Sequence, residues 1–132
     1  MGKAKQITVW IESTPGQIGR IATVLGRAKI NITAFTCASQ PGQSPLRLQV
    51  SAHDKARKVL QDLGLRVTEE DVLRITVADK PGALARIGAK LGEAGINIEY
   101  AYGAVAAKSR RADLVFGVRD LDGASQALKH LK

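Results

Sequence analysis

Two stretches, Ser13-Thr14-Pro15-Gly16-Gln17-Ile18 and Asp79-Lys80-Pro81-Gly82-Ala83-Leu84, each stand between an alternating apolar segment and a helical pattern. The first amides of a helix point out of its N-terminus with no internal acceptor. A carboxylate placed there gains hydrogen bonds and the positive end of the helix dipole. Gly16 and Gly82 carry no Cβ to obstruct approach to that backbone. Asn31 and Asn97 follow, each flanked by isoleucines at the expected start of a strand, where asparagine is disfavoured. Their amides donate and accept at once, which suits a ligand bearing both an ammonium and a carboxylate. Asp79 has the charge to hold an ammonium, whereas its counterpart Ser13 only hydrogen-bonds one, so the two sites would not be equivalent. Each feature also has a plainer explanation. Pro-Gly makes tight turns, asparagine closes a helix-to-strand connection through its own backbone, and Ser13, Thr14 or Asp79 caps a helix. Both readings stand open at this level.

Catalytic chemistry finds little to work with. His53 and His130 lie in unrelated contexts, Cys37 has no histidine at a recognisable spacing, and no Cys, His and Asp set has metal-ligand spacing. The expectation is a protein without catalytic residues, metal or cofactor, hence no enzyme. A single cysteine makes no internal disulfide. No apolar run approaches a membrane span, and the N-terminus shows no signal-like segment, which points to a cytoplasmic protein away from membranes. The net charge of +8 is dispersed along the chain rather than gathered, as expected of a solvated surface. Nucleic acid is therefore disfavoured as a partner. With aromatic residues only at Trp10, Phe35, Tyr100, Tyr102 and Phe116, a base-stacking surface is poorly supplied.

The elements that carry these residues occur twice. A shift of 66 positions superposes ten identities within the eighteen positions from Pro15 to Ile32, including Pro15 on Pro81, Gly16 on Gly82 and Ile30-Asn31-Ile32 on Ile96-Asn97-Ile98. Such a period means duplication, with residues 5–70 as the first repeat and 71–132 as the second. Units of this size are marginal alone, so the halves are expected to pack together.

In the first repeat, Ile7, Val9 and Ile11 alternate with Thr8, Trp10 and Glu12 as a strand. A helix from Gln17 to Lys29 follows, with Ile18, Ile21, Ala22, Leu25 and Ala28 on one face. Strands are expected at Ile30–Cys37 and Leu46–Ala52, with a polar loop Ser39–Pro45 between them. A helix from Asp54 carries Ala56, Val59, Leu60 and Leu63 inward, and Leu65–Thr68 forms a short fourth strand.

The second repeat begins with a strand at Val72–Ala78, after a joint at Glu69-Glu70-Asp71. A helix follows with Leu84, Ile87, Leu91 and Ala94 inward, then a strand at Ile96–Tyr102, a loop through Lys108-Ser109-Arg110, a strand at Arg111–Val118, and a helix from near Asp122 to the chain end. The order is β-α-β-β-α-β, an α+β class of ferredoxin-like units, and the second lacks an evident C-terminal strand. Its open edge calls for the Leu65–Thr68 segment, the first repeat or another chain. Gly19, Gly26, Gly88 and Gly92 lie within the two first helices, where close approach to the sheet or between helices would explain them.

That order also serves acylphosphatases and RNA-recognition motifs. No glycine-rich, arginine-bearing phosphate loop follows the first strand, and Ser44–Ala52 has no aromatic residue of the kind that stacks RNA bases.

Asp79-Lys-Pro-Gly-Ala-Leu84 after a strand, a helix ending in Glu93-Ala-Gly95, and Ile96-Asn-Ile98 before the next strand resemble the ACT family of amino-acid-binding regulatory modules. Ser13-Thr-Pro-Gly-Gln-Ile18 and Ile30-Asn-Ile32 repeat the pattern more loosely, and Ile98–Tyr102 is similar to that of stand-alone tandem ACT proteins. The resemblance implies a non-enzymatic regulatory protein, with a free amino acid or related metabolite held at the interface between ACT units. It proposes as ligand contacts Ser13, Thr14, Pro15, Gly16, Gln17, Ile18, Asn31 and Ile32, together with Asp79, Lys80, Pro81, Gly82, Ala83, Leu84, Asn97 and Ile98. A homodimer is expected, supported by Trp10 and Phe35 on the strand face opposite the inward residues. The alternatives are a regulatory subunit of a biosynthetic enzyme such as acetolactate synthase and, from another class, a basic nucleic-acid-binding module.

Overall fold

A computed structural model describes residues 2–105 and 109–131. The chain divides into two compact units, one of Lys5–Glu70 and one of Asp71 onward joined by the chain start up to Ala4. The strand β1 (Gly2–Glu12), the helix α1 (Gln17–Arg27), the strands β2 (Ile32–Cys37) and β3 (Gln43–Val50), and the helix α2 (His53–Asp62) come first. Then follow β4 (Arg66–Ala78), α3 (Ala83–Glu93), β5 (Tyr100–Val105), β6 (Arg111–Gly117) and α4 (Leu121–Ala127). This is the α+β, ferredoxin-like repeat read from the sequence.

Within the first unit β3 pairs antiparallel with β1 on one side, Ile7 facing Leu48, and with β2 on the other, Phe35 facing Leu48. The start of β4 completes this sheet next to β1. The inward residues of β1 (Ile7, Val9, Ile11) meet Leu46 and Leu48 of β3, Ile21 and Leu25 of α1, and Ala56 and Leu60 of α2. In the second unit β6 pairs with β4, Ile75 facing Leu114, and with β5, Tyr102 facing Val115. Leu73, Ile75 and Val77 pack there with Ile87 and Leu91 of α3, Phe116 of β6, and Ala124 and Leu128 at α4. Apolar burial on one face of each sheet is what holds each unit together.

Several expectations change. The short strand at Leu65–Thr68 and the strand at Val72–Ala78 are one continuous strand of 13 residues, with no break at Glu69-Glu70-Asp71. Side-chain bonds hold that middle in place. Glu70 accepts from Gln6 and from the Thr8 hydroxyl, and Glu69 lies 2.6 Å from His53 Nε2. The second unit takes in Gly2–Ala4, the start of β1, next to β4. Lys3 there bonds Asp122 of α4 at 2.8 Å. Residues just ahead of the first repeat thus supply the strand that the second repeat lacks. The polar loop is shorter than expected, because Gln43–Pro45 already belong to β3. Pro45 faces Trp10 beyond the last β2 pair, Cys37 with Leu46, so the missing amide falls where β3 has only one neighbour. The loop expected around Lys108 lies partly outside the described residues, and the last helix, expected to run to the chain end, stops at Ala127 with Leu128 as its cap.

Helix glycines do not mark close approach either. A Cβ built at Gly19, Gly26, Gly88 or Gly92 meets nothing within 4 Å. Both first helices end in the same backbone pattern. The amide of Ile30 donates to Leu25 and that of Lys29 to Gly26, as Ile96 donates to Leu91 and Gly95 to Gly92. Gly95 adopts the left-handed conformation this ending requires, at φ 71°, and Lys29 is forced into it at φ 60°. Replacing Lys29 with glycine removes left-handed strain of about 1–2 kcal/mol and adds unfolded-chain entropy of about 0.4–1 kcal/mol. Chemical denaturation of Lys29→Gly should show a net gain of up to about 1.6 kcal/mol; a loss would mean the lysine side chain matters more than its backbone.

One surface pair gives a pH signature. Asp113 of β6 accepts from Arg74 at 2.9 Å and from the Thr76 hydroxyl at 2.7 Å, and these bonds hold its carboxyl below the ordinary 3.8. The folded state therefore gains from Asp113 above that ordinary value and loses the gain as pH falls below it. From about pH 4 downward the wild-type melting temperature should fall more steeply than that of Asp113→Asn; parallel curves would remove the pair from the acid response.

Candidate functional site

The site is built on the two strand-to-helix turns. Each first helix opens at a glycine in the left-handed region, Gly16 at φ 89° and Gly82 at φ 89°, and no side chain caps either helix. Capping by Ser13, Thr14 or Asp79, the plainer explanation, is therefore not what the turns do. Ala83 donates to the Lys80 carbonyl at 3.2 Å. Among the described residues no acceptor reaches the Leu84 or Ala85 amide, nor those of Gln17, Ile18 and Gly19.

A pocket of about 410 Å³ lies at the first turn. Every turn residue from Ser13 through Ile18 lines it, with Ile11 and Glu12 from β1, Cys37 from β2 and Ser44 from β3 among its other walls. Its polar rim is internally committed. Ser13 donates to the Gln40 carbonyl at 2.8 Å and lies 2.5 Å from Ser44 Oγ, which in turn accepts the Gln40 amide at 3.0 Å. Gln17 donates to Thr14 Oγ1 at 3.1 Å.

The second turn has a pocket of about 250 Å³, lined by Asp79, Lys80, Ala83 and Leu84 and by residues of β4, β5 and β6. Pro81 and Gly82 shape the turn without lining it. The Asp79 amide donates to the Arg110 carbonyl at 2.8 Å, while neither its carboxylate nor the Lys80 ammonium has a partner among the described residues. Gly103 of β5 is needed for the wall, since a Cβ there would stand 2.5 Å from Leu114 Cδ2 and 2.6 Å from the Asp113 carbonyl.

Ile18 and Leu84, read from periodicity as inward, are 45% and 61% exposed. Ala22 and Ala94 are likewise exposed, and Leu63 of the second helix is 40% exposed. The buried stripe of each first helix is only Ile21 with Leu25, or Ile87 with Leu91, because the first turn runs past the apolar face of its sheet. Its apolar side chains are left at the pocket rims.

The asparagines sit elsewhere. Neither begins a strand, since β2 starts at Ile32 and β5 at Tyr100. The Asn31 amide donates to Ser51 Oγ and its carbonyl accepts the Ser51 amide, both at 2.9 Å. Asn97 lines a separate pocket of about 430 Å³ with Glu99, Arg119 and Asp120, where Arg119 bonds Glu99 at 2.9 Å. Among the described residues, then, Asn97 and the turn of its unit line different pockets, and Asn31 is not among the residues lining the pocket at the first turn. Ile32 and Ile98 pack against the two cores.

Cys37, Ser39, Gly103 and Val105 are pocket residues that sequence reasoning missed. The signal was available, because the same shift of 66 carries Cys37 onto Gly103 and Ser39 onto Val105. His53, Asp54 and Glu69 also converge, with one ligand-type atom from each within 4.8 Å of the others, which sequence spacing did not suggest. The Arg57 guanidinium stands 3.5 Å from Glu69 and already supplies positive charge there. The bond from His53, more than Arg57, holds the Glu69 carboxyl below its ordinary value.

The repeated turn, pocket and helix ending have a known counterpart. The family described as an ACT domain pair matches residues 3–128. The chain belongs to the ACT family. A protein of Bacteroides thetaiotaomicron known from its crystal structure is similar to this ACT pair at 32% identity, over 96% of this chain and 87% of that one, with a TM-score of 0.89. The ligand-free regulatory subunit of aspartate kinase from Thermus thermophilus shares the fold at 18% identity and a TM-score of 0.70, over 98% of this chain and 96% of that one. The corresponding Thermus flavus subunit does so at 17% identity and a TM-score of 0.65, over 98% and 95%. No protein of curated function matches the sequence. ACT domains are regulatory modules, and among the described residues no helix of this pair is long and apolar enough to cross a membrane.

Proposed function

We propose that this ACT pair is a regulatory protein that binds a free amino acid at its strand-to-helix turns and works as a homodimer. The observation that carries the reading is the pocket found at both turns, with an uncapped helix start and an apolar side chain left exposed at the same repeat position, Ile18 and Leu84. Uncapped amides suit a carboxylate, and the exposed leucine or isoleucine suits the carbon skeleton beside it. Phe35 on β2, 59% exposed, supports the dimer as an apolar contact left open in one chain.

Thermal unfolding with each common amino acid in turn tests the proposal. A ligand at about 100 times its dissociation constant stabilises by about 2.7 kcal/mol. One or a few amino acids should raise the melting temperature, and sedimentation of the same sample should give twice the chain mass. A melting temperature indifferent to all of them removes the ligand from the reading, and a monomer removes the dimer.

A further inference from the structure

Resting on that reading, we infer that the ligand is an amino acid with a small aliphatic side chain, and that the second-repeat pocket is where it binds. The two turns differ in what they leave available. At the first, the Ser13 hydroxyl is spent on Gln40 and Ser44, and Thr14 on Gln17. At the second, Asp79 and Lys80, consecutive in the chain and both lining the pocket, carry a carboxylate and an ammonium without partners among the described residues. That pair matches the opposite charges of a zwitterion, ammonium to Asp79 and carboxylate to Lys80 and the open α3 amides.

Beyond this charged end the pocket is aliphatic. Among the described residues Val77, Ala83, Leu84, Val105, Ala112 and Leu114 line it, with no aromatic residue and no further charged side chain. Leu84 and Val105, at 61% and 42% exposure, are two of the five large apolar side chains left open among the described residues. A volume of about 250 Å³ is below the range of roughly 300–1,000 Å³ that drug-sized ligands occupy. It therefore suits a single amino acid. A charged or amide side chain carried into these walls would lose its water without gaining a partner.

Isothermal titration of the full chain with leucine, isoleucine and valine, and separately with aspartate, lysine, glutamine and phenylalanine, tests the inference. The aliphatic set should bind at least tenfold more tightly than the others. Leu84→Asp should weaken that binding at least tenfold, and because Leu84 is exposed this variant keeps the fold intact, as circular dichroism would verify. Leu63→Asp, at an exposed apolar position just past α2 that lines neither turn pocket, should leave it unchanged. Tight binding of a polar or aromatic amino acid would overturn the aliphatic inference while leaving amino-acid binding in place. Binding that survives Leu84→Asp but is lost in Ile18→Asp would overturn the assignment to the second pocket. Absence of binding by any amino acid would overturn the inference and the proposed function together.

Discussion

Leu91→Ala should lower the unfolding free energy of this protein by about 2–5 kcal/mol, the range for deleting a fully buried leucine. Leu91 is 0% exposed and packs with Leu73, Ile75, Val77, Ile87 and Phe116 in the second core. The upper part of the range applies if its cavity stays open, because α3 is fixed at both ends. At its start the chain turns through Gly82, and at its end the Ile96 amide bonds back to the Leu91 carbonyl at 2.9 Å. A unit of about 60 residues has little stability in reserve. Denaturant unfolding of Leu91→Ala and of Leu25→Ala, its counterpart in the first core, should give losses of similar size. A loss below about 1 kcal/mol at Leu91 would contradict the packing described for α3.

Gly82→Ala should cost about 1–2 kcal/mol, and here the cause is backbone rather than packing. A Cβ at Gly82 meets nothing within 4 Å, so no neighbour has to move. The left-handed φ of 89° is what an alanine resists, and this residue is the position from which α3 departs. Gly16→Ala, at the same φ in the first repeat, should cost about the same. Equal losses would place the strain in the turn itself. If alanine were neutral at both positions, the left-handed turn would not be required by the fold, and the shared geometry of the two helix starts would lose its significance.

Much of this was legible in the residues. The shift of 66 located both turns, and the alternation of Ile7, Val9 and Ile11 and of Leu46 and Leu48 located the strand residues that enter the first core, although the opposite face is not open to water, since Gln6, Thr8 and Gln49 are buried too. Periodicity failed where it had no information about lengths. It grouped Ile18 with Ile21 and Leu84 with Ile87, but where a helix begins relative to the edge of its sheet is set by the turn. Local propensity failed at Glu69-Glu70-Asp71, three residues poorly suited to a strand. Gln6, Thr8, His53 and Arg57 hold the two glutamates there. Asn31 and Asn97 were read as strand residues because isoleucines flank them, yet each follows a left-handed helix ending that delays the strand. The walls of the two pockets, Cys37 and Ser44 or Gly103 and Leu114, come together only through strand pairing, which adjacency in sequence does not reveal.

The most direct measurement is a crystal structure of the protein grown with the amino acid that raises its melting temperature most. The account predicts density for that amino acid against the strand-to-helix turn, with its ammonium at Asp79 and its side chain against Leu84. A turn filled by the protein's own side chains, with the amino acid bound elsewhere or nowhere, would contradict it.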